Sequence, residues 1–246
     1  MSRYFLALMI GWHAIATLPV FVFADEPKSG ALMQTLPADG VWVTYSVNVS
    51  VNEQESLMTI TGRSVGKDFY EGKQLRFIEY EQTVVTSSDI NIPQLGNLTW
   101  RLLIPEEAFG EGKDPISKAT HKWVQYGTQE PDVVESIQVK DPIFFTLFQG
   151  PQKQLKFEAA QENIVWQQGE LKCRVITGEN EKSFGQMSMK MAHRLYVHPD
   201  VPFGIGGLHQ DISLDFGGGQ PAKVIIHATL RDHGKNAKPK LPNLVP

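Results

Sequence analysis

VWVTYSVNVSV, residues 41 to 51, decides the fold class. Val41, Val43, Tyr45, Val47, Val49 and Val51 fall on one side of an extended chain, and Trp42, Thr44, Ser46, Asn48 and Ser50 on the other. Alternation sustained that long defines a half-buried antiparallel strand, because a helix would scatter the same residues around its axis.

The pattern repeats in both directions along the chain. Strands are expected at 57–65, 75–85, 98–104, 154–161, 170–179, 185–198, 208–216 and 222–232, most of them separated by Gly, Asn, Asp or Pro. Short turns between neighbouring strands make an antiparallel meander. Two helices are expected within it. Residues 114–127 open with Asp114 and Pro115 and close at Gly127, with Ile116, Ala119, Trp123 and Tyr126 on one face. Residues 141–150 carry the same punctuation and are apolar nearly all round, through Ile143, Phe144, Phe145, Leu147 and Phe148. The expected class is therefore α+β: a single large, curved antiparallel sheet, like a half-barrel, wrapped around two short helices.

The flanks read differently. Residues 1–24 have Arg3, an apolar run from Tyr4 to Phe23, and Val22 and Ala24 as small residues before Asp25. That is the arrangement of a cleaved signal peptide, with an uncleaved membrane anchor as the competing reading. Residues 25–39 are rich in turn formers and read as a flexible arm. Residues 40–233 form one domain, and the Lys- and Pro-rich 234–246 read as a disordered extension. The mature chain would have no transmembrane segment and would be periplasmic or extracellular.

Composition narrows the function classes. Without Arg3 the chain has 22 basic and 27 acidic residues, so nothing in its charge favours nucleic acid or an anionic membrane surface. Cys173 is the only cysteine, which excludes an intrachain disulfide and a cysteine-based zinc site. No GxSxG elbow or HExxH motif occurs. Catalysis is not the expected role, and no cofactor is expected.

Candidate site residues concentrate in the last three strands. Met187, Met189, Met191, Leu195 and Val197 share an inward face with His193, and Leu208, Ile212, Leu214 and Phe216 share one with Gln210. His193 and Gln210, near diagonal neighbours, are either a satisfied hydrogen-bonded pair in the core or polar contacts in the floor of an apolar cavity. On the outward face, a register with Arg194 opposite Asp211 and His227 opposite Asp211 gives each aspartate a basic or imidazole neighbour. His198, Asp200 and His209 form an alternative metal-ligand set at the rim. GIGG at 204–207 is followed by an alternating strand, so it reads as a return between strands rather than a phosphate loop.

The passage Leu-Tyr-Val-His-Pro-Asp-Val-Pro-Phe-Gly at 195–204 resembles the P-x-V-P-x-G return of uncharacterised secreted bacterial proteins. More distantly, the whole pattern over 40–232 resembles the half-barrel superfamily of periplasmic lipoprotein carriers. In that superfamily a curved sheet wraps helices and encloses a cavity for acyl chains. The resemblance implies a similar fold, but no position here matches the carriers' cavity arginine.

The functional expectation is a non-enzymatic exported protein that binds or carries an apolar or amphiphilic ligand, a lipid among them, or an envelope partner. His193, Gln210, Phe144, Phe145, Phe148, Met189 and Met191 are the ligand-binding candidates. The alternatives are a metal-dependent hydrolase at His198, Asp200 and His209, and a structural extracellular module. Oligomeric state stays open.

Overall fold

The computed structural model describes residues 33–86, 97–110, 113–134, 150, 153–184, 187–218 and 220–242. The expected signal peptide therefore lies outside the described residues, as does 141–149 with Phe144, Phe145 and Phe148.

Among the described residues, twelve strands form one antiparallel sheet system: β1 Trp42–Val51, β2 Gln54–Tyr70, β3 Lys73–Thr86, β4 Leu98–Pro105, β5 His121–Tyr126 and β6 Asp132–Val133, followed by β7 Lys153–Phe157, β8 Glu162–Trp166, β9 Gly169–Phe184, β10 Met187–Val197, β11 Ile205–Asp215 and β12 Ala222–Gly234. Their spatial order is β6-β5-β4-β3-β2-β1-β12-β11-β10-β9-β7, with β8 paired to β9. Two meanders thus run outward from a central β1–β12 pair. In β1 the expected parity holds: Val43, Tyr45, Val47 and Val49 are buried.

The inward faces of both meanders share one core. It takes in Val43 and Val47 of β1, Ile60 of β2, Tyr80 of β3, Trp100 of β4, Met191 of β10, Leu208 of β11 and Ile226 of β12. The Tyr80 and Phe203 rings lie 5.9 Å apart. β3 and β11 stand four strand spacings apart, about 19 Å in a flat sheet. The curl of the sheet and the inward fold of the 201–204 return together close that gap.

The α+β expectation is corrected: among the described residues the class is all-β, and the only helical elements are short 3-10 turns, at Glu106–Ala108, Ile116–Lys118 and Pro202–Gly204. The helix expected at 114–127 is one such turn followed by strand β5. Asp114 Oδ1 accepts from the Ser117 amide at 3.2 Å, as an N-cap would, but the turn ends at Ala119. From His121 onward the backbone completes the open edge of β4. Trp123 and Val124 are both buried, on opposite faces, so a strand covered on two sides mimicked a helical stripe.

The two ends of the described chain are also packed. Met33 is fully buried in the core, the Gln34 amide donates to the Phe203 carbonyl at 2.9 Å, and Arg76 Nη1 donates to the Pro37 carbonyl at 2.8 Å. After β12, residues 235–242 cross the outer face of β1, β2 and β3 to β4. Trp42 Nε1 donates to the Lys235 carbonyl, and Leu241 is buried against Leu75, Leu103 and Trp123. The disordered extension expected from 234 is, as far as Pro242, a strap. Its composition conceals a single apolar anchor that meets a prepared site.

Candidate functional site

The inward face of β9–β11 brings the candidate residues together. His193 of β10 stands directly opposite Gln210 of β11, rather than diagonal to it as the sequence suggests. The Gln210 amide and His193 Nδ1 are 3.0 Å apart. On the other side of β10, His193 faces Gly178 and Met191 faces Asn180, which makes Asn180 and His193 diagonal neighbours on one face. Asn180 Nδ2 donates to the Gly150 carbonyl at 2.8 Å. Met189 and Met191 continue the face, opposite Leu214 and Ile212.

Every one of these polar side chains is withdrawn from water: His193 is 3% exposed, Asn180 3% and Gln210 0%. Burial lowers the His193 pKa to about 4, so the ring is neutral at ordinary pH. With Gln210 donating to Nδ1, the proton sits on Nε2. Among the described residues that atom has no hydrogen-bond partner, and neither does Asn180 Oδ1. A buried donor and a buried acceptor therefore stand unpaired on adjacent strands beside two methionines. Buried polar groups are normally paired, so these two mark the site.

The outward face differs from expectation by a slip of two residues. Asp211 faces Ala192 and Ile225, Arg194 faces His209, and His209 faces His227. A two-residue slip keeps every buried side chain on its own face, so core burial does not oppose it. The exposed pairs that suggested the other register are worth little. Arg194 instead bonds Glu158 and Glu162, from beyond β9. The His209 and His227 rings meet edge to face at 5.8 Å, and burial and then His209 lower the His227 pKa.

The metal-ligand set does not assemble. His198 Nδ1 accepts from the Asp200 amide, while His209 Nε2 lies 3.3 Å from Asp211 Oδ2. Among the described residues no group of three His, Cys, Asp or Glu side chains is placed to hold a metal.

The glycines of the 204–207 run have separate reasons. Gly204, at φ 81°, closes the return as its amide donates to the Val201 carbonyl. A bulge between Tyr196 and Val197 leaves Gly206 unpaired, where a Cβ would come within 3.0 Å of Cys173 Sγ. At Gly207 a Cβ would meet the Ala228 carbonyl oxygen at 3.1 Å and Ile164 Cδ1 at 3.5 Å. The missing side chains of Gly206 and Gly207 admit the β8–β9 hairpin against the sheet. Cys173 is a packing residue there, its thiol pushed up to about 11 by burial.

Sequence reasoning missed a second polar site on the outer face. Glu79 of β3 and Arg101 of β4 form a buried ion pair, and both bind the main chain of the strap. A signal existed: LTWRLLI carries one arginine in a strand that, but for Thr99, is apolar on both faces, which calls for a covered partner. Two adjoining grooves, of about 580 and 440 Å³, also open over β9–β11 and share Gln154, Glu179, Ala192 and Asp211.

No protein family matches the chain, and no curated protein does. Among solved structures, a protein inferred to be exported, with a YmcC-like fold, from Bacteroides fragilis is similar at 10% identity. The match covers 83% of this chain and 100% of that one, with a TM-score of 0.39.

Proposed function

We propose that this is an exported, non-enzymatic binding protein whose ligand is an amphiphile, seated by its polar end on the inward face of β9–β11. The observation that carries the proposal is the pair of unpartnered atoms, His193 Nε2 and Asn180 Oδ1, in a face that also carries Gln210, Met189, Met191 and Ile212. A site of this composition suits a ligand with apolar bulk and one group that both donates and accepts, such as a hydroxyl or an amide. Such a group would accept a hydrogen bond from Nε2–H and donate one to Oδ1. Methionine supplies an adaptable apolar surface for the remainder.

The test is non-denaturing mass spectrometry of protein purified from its own host, compared with His193→Leu and Asn180→Leu. Wild type should carry a bound amphiphile that both variants lose. If wild type carries none, and the leucine variants are more stable than it, the two atoms are only an energetic defect and the proposal fails.

A further inference from the structure

The strap site on the outer face holds its segment chiefly through main-chain groups. Glu79 is fully buried and Arg101 nearly so, with side-chain exposures of 0% and 4%. Glu79 accepts from two consecutive strap amides, Lys240 at 2.6 Å and Leu241 at 3.0 Å. Arg101 donates to two consecutive strap carbonyls, Leu241 at 2.6 Å and Pro242. An ion pair that satisfies its remaining donors and acceptors on main-chain groups recognises extended backbone, whatever the side chains.

Side-chain selection is added around it. Leu241 enters the depression of Leu75, Leu103 and Trp123, with Phe77 at its margin. Lys240 Nζ pairs with Glu81 Oε1 at 2.8 Å, and Glu81 is held below the usual carboxylate range by Lys240 and Arg63 against the opposing effect of burial. Pro242 needs no amide partner. Between the β1 contacts and this dock, Lys238 and Pro239 are exposed, so that segment is held by its ends.

We infer that the outer face of β3–β5 is a peptide-binding site for an extended Lys-Leu-Pro segment, filled here by the chain's own tail and open to the tail of a second copy. The occupant follows from complementarity, since this tail supplies the cation, the apolar anchor and the main-chain groups that the site lacks. Exchange of an identical segment between copies needs no new contact. The tethered tail competes at high effective concentration, so exchange is seen when the resident segment is disabled.

The experiment uses the full chain with Leu241→Asp, which vacates the apolar depression, and a labelled peptide of residues 236–242. Fluorescence anisotropy should show binding at least tenfold tighter than to wild type, and a peptide carrying the same Leu→Asp change should not bind. Mixing the variant with Glu79→Leu/Arg101→Met, which keeps its tail but has lost its own dock, should also give a mixed dimer in native mass spectrometry. A folded variant that binds neither the peptide nor that second chain overturns the inference. Should the variant fail to fold, hydrogen exchange of wild type decides. Lys240 and Leu241 amides that exchange at least a hundredfold faster than those of β3 and β4 support release of the strap, and equal protection overturns it.

Discussion

Glu79 and Arg101 stand opposite each other on β3 and β4, with carboxylate and guanidinium 2.5 Å apart and almost no exposure to water. Taking two charges out of water is costly, and here main-chain groups of the strap complete the solvation that water no longer supplies. Removal of one partner leaves the other charged and buried.

Arg101→Met should therefore lower stability by about 3–5 kcal/mol, whereas Glu79→Leu combined with Arg101→Met should lower it less than either single change. Urea denaturation of the three variants checks this. Additive losses would show that the pair is not the unit described.

Acid should weaken the fold through His193. Its pKa falls from 6.5 in the unfolded chain to about 4 in the folded one, so between those values the unfolded state binds more protons. The contribution is fully present above pH 6.5 and is lost as pH falls toward 4. At about 1.4 kcal/mol per pKa unit, the loss is on the order of 3 kcal/mol. Denaturation midpoints measured from pH 7 to pH 4 should fall less steeply in His193→Leu; parallel profiles would remove His193 as the cause.

The register is open to a direct chemical test. His209→Cys with His227→Cys places two thiols on directly opposed positions of β11 and β12, and these should oxidise to a disulfide. Asp211→Cys with His227→Cys, the pairing that charge alone suggested, should not. Mass analysis after mild oxidation, in a Cys173→Ala background, reads both results.

Gly206→Ala should cost about 1 kcal/mol or more in the wild type, where the new methyl meets Cys173 Sγ. In a Cys173→Ala background the cost should shrink. A double-mutant cycle by thermal denaturation measures the coupling, and its absence would separate the bulge from the hairpin that covers it.

Strand identity was written in period-two alternation, and β1, β10, β11 and β12 follow it closely because one of their faces is buried and the other wet. The reading failed where both faces are covered. β5 looked helical because Trp123 and Val124 are buried side by side, and the strap looked disordered because a lone leucine among lysines and prolines does not announce a docking site. The register slip has the same root: parity is enforced by the core, while the choice between registers two residues apart falls to weak exposed pairs and to the length of the 198–204 return. His193 and Gln210 were legible because a polar residue interrupts an apolar stripe. Asn180 was not, since its own strand is mostly polar and only the pairing with Met191 reveals its direction.

β3 fastens both ends of the described chain, one on each of its faces. Arg76 holds Pro37 across 39 positions, and three residues later Glu79 holds Lys240 across 161. Contacts of such separation form late, because the intervening loop must be closed before they give any return. The molecule is therefore expected to be a slow folder whose last event is the fastening of Pro37 and Lys240 to one strand. Until then the outer face of that strand lies open, and this is the interval in which a protease or a chaperone would find it.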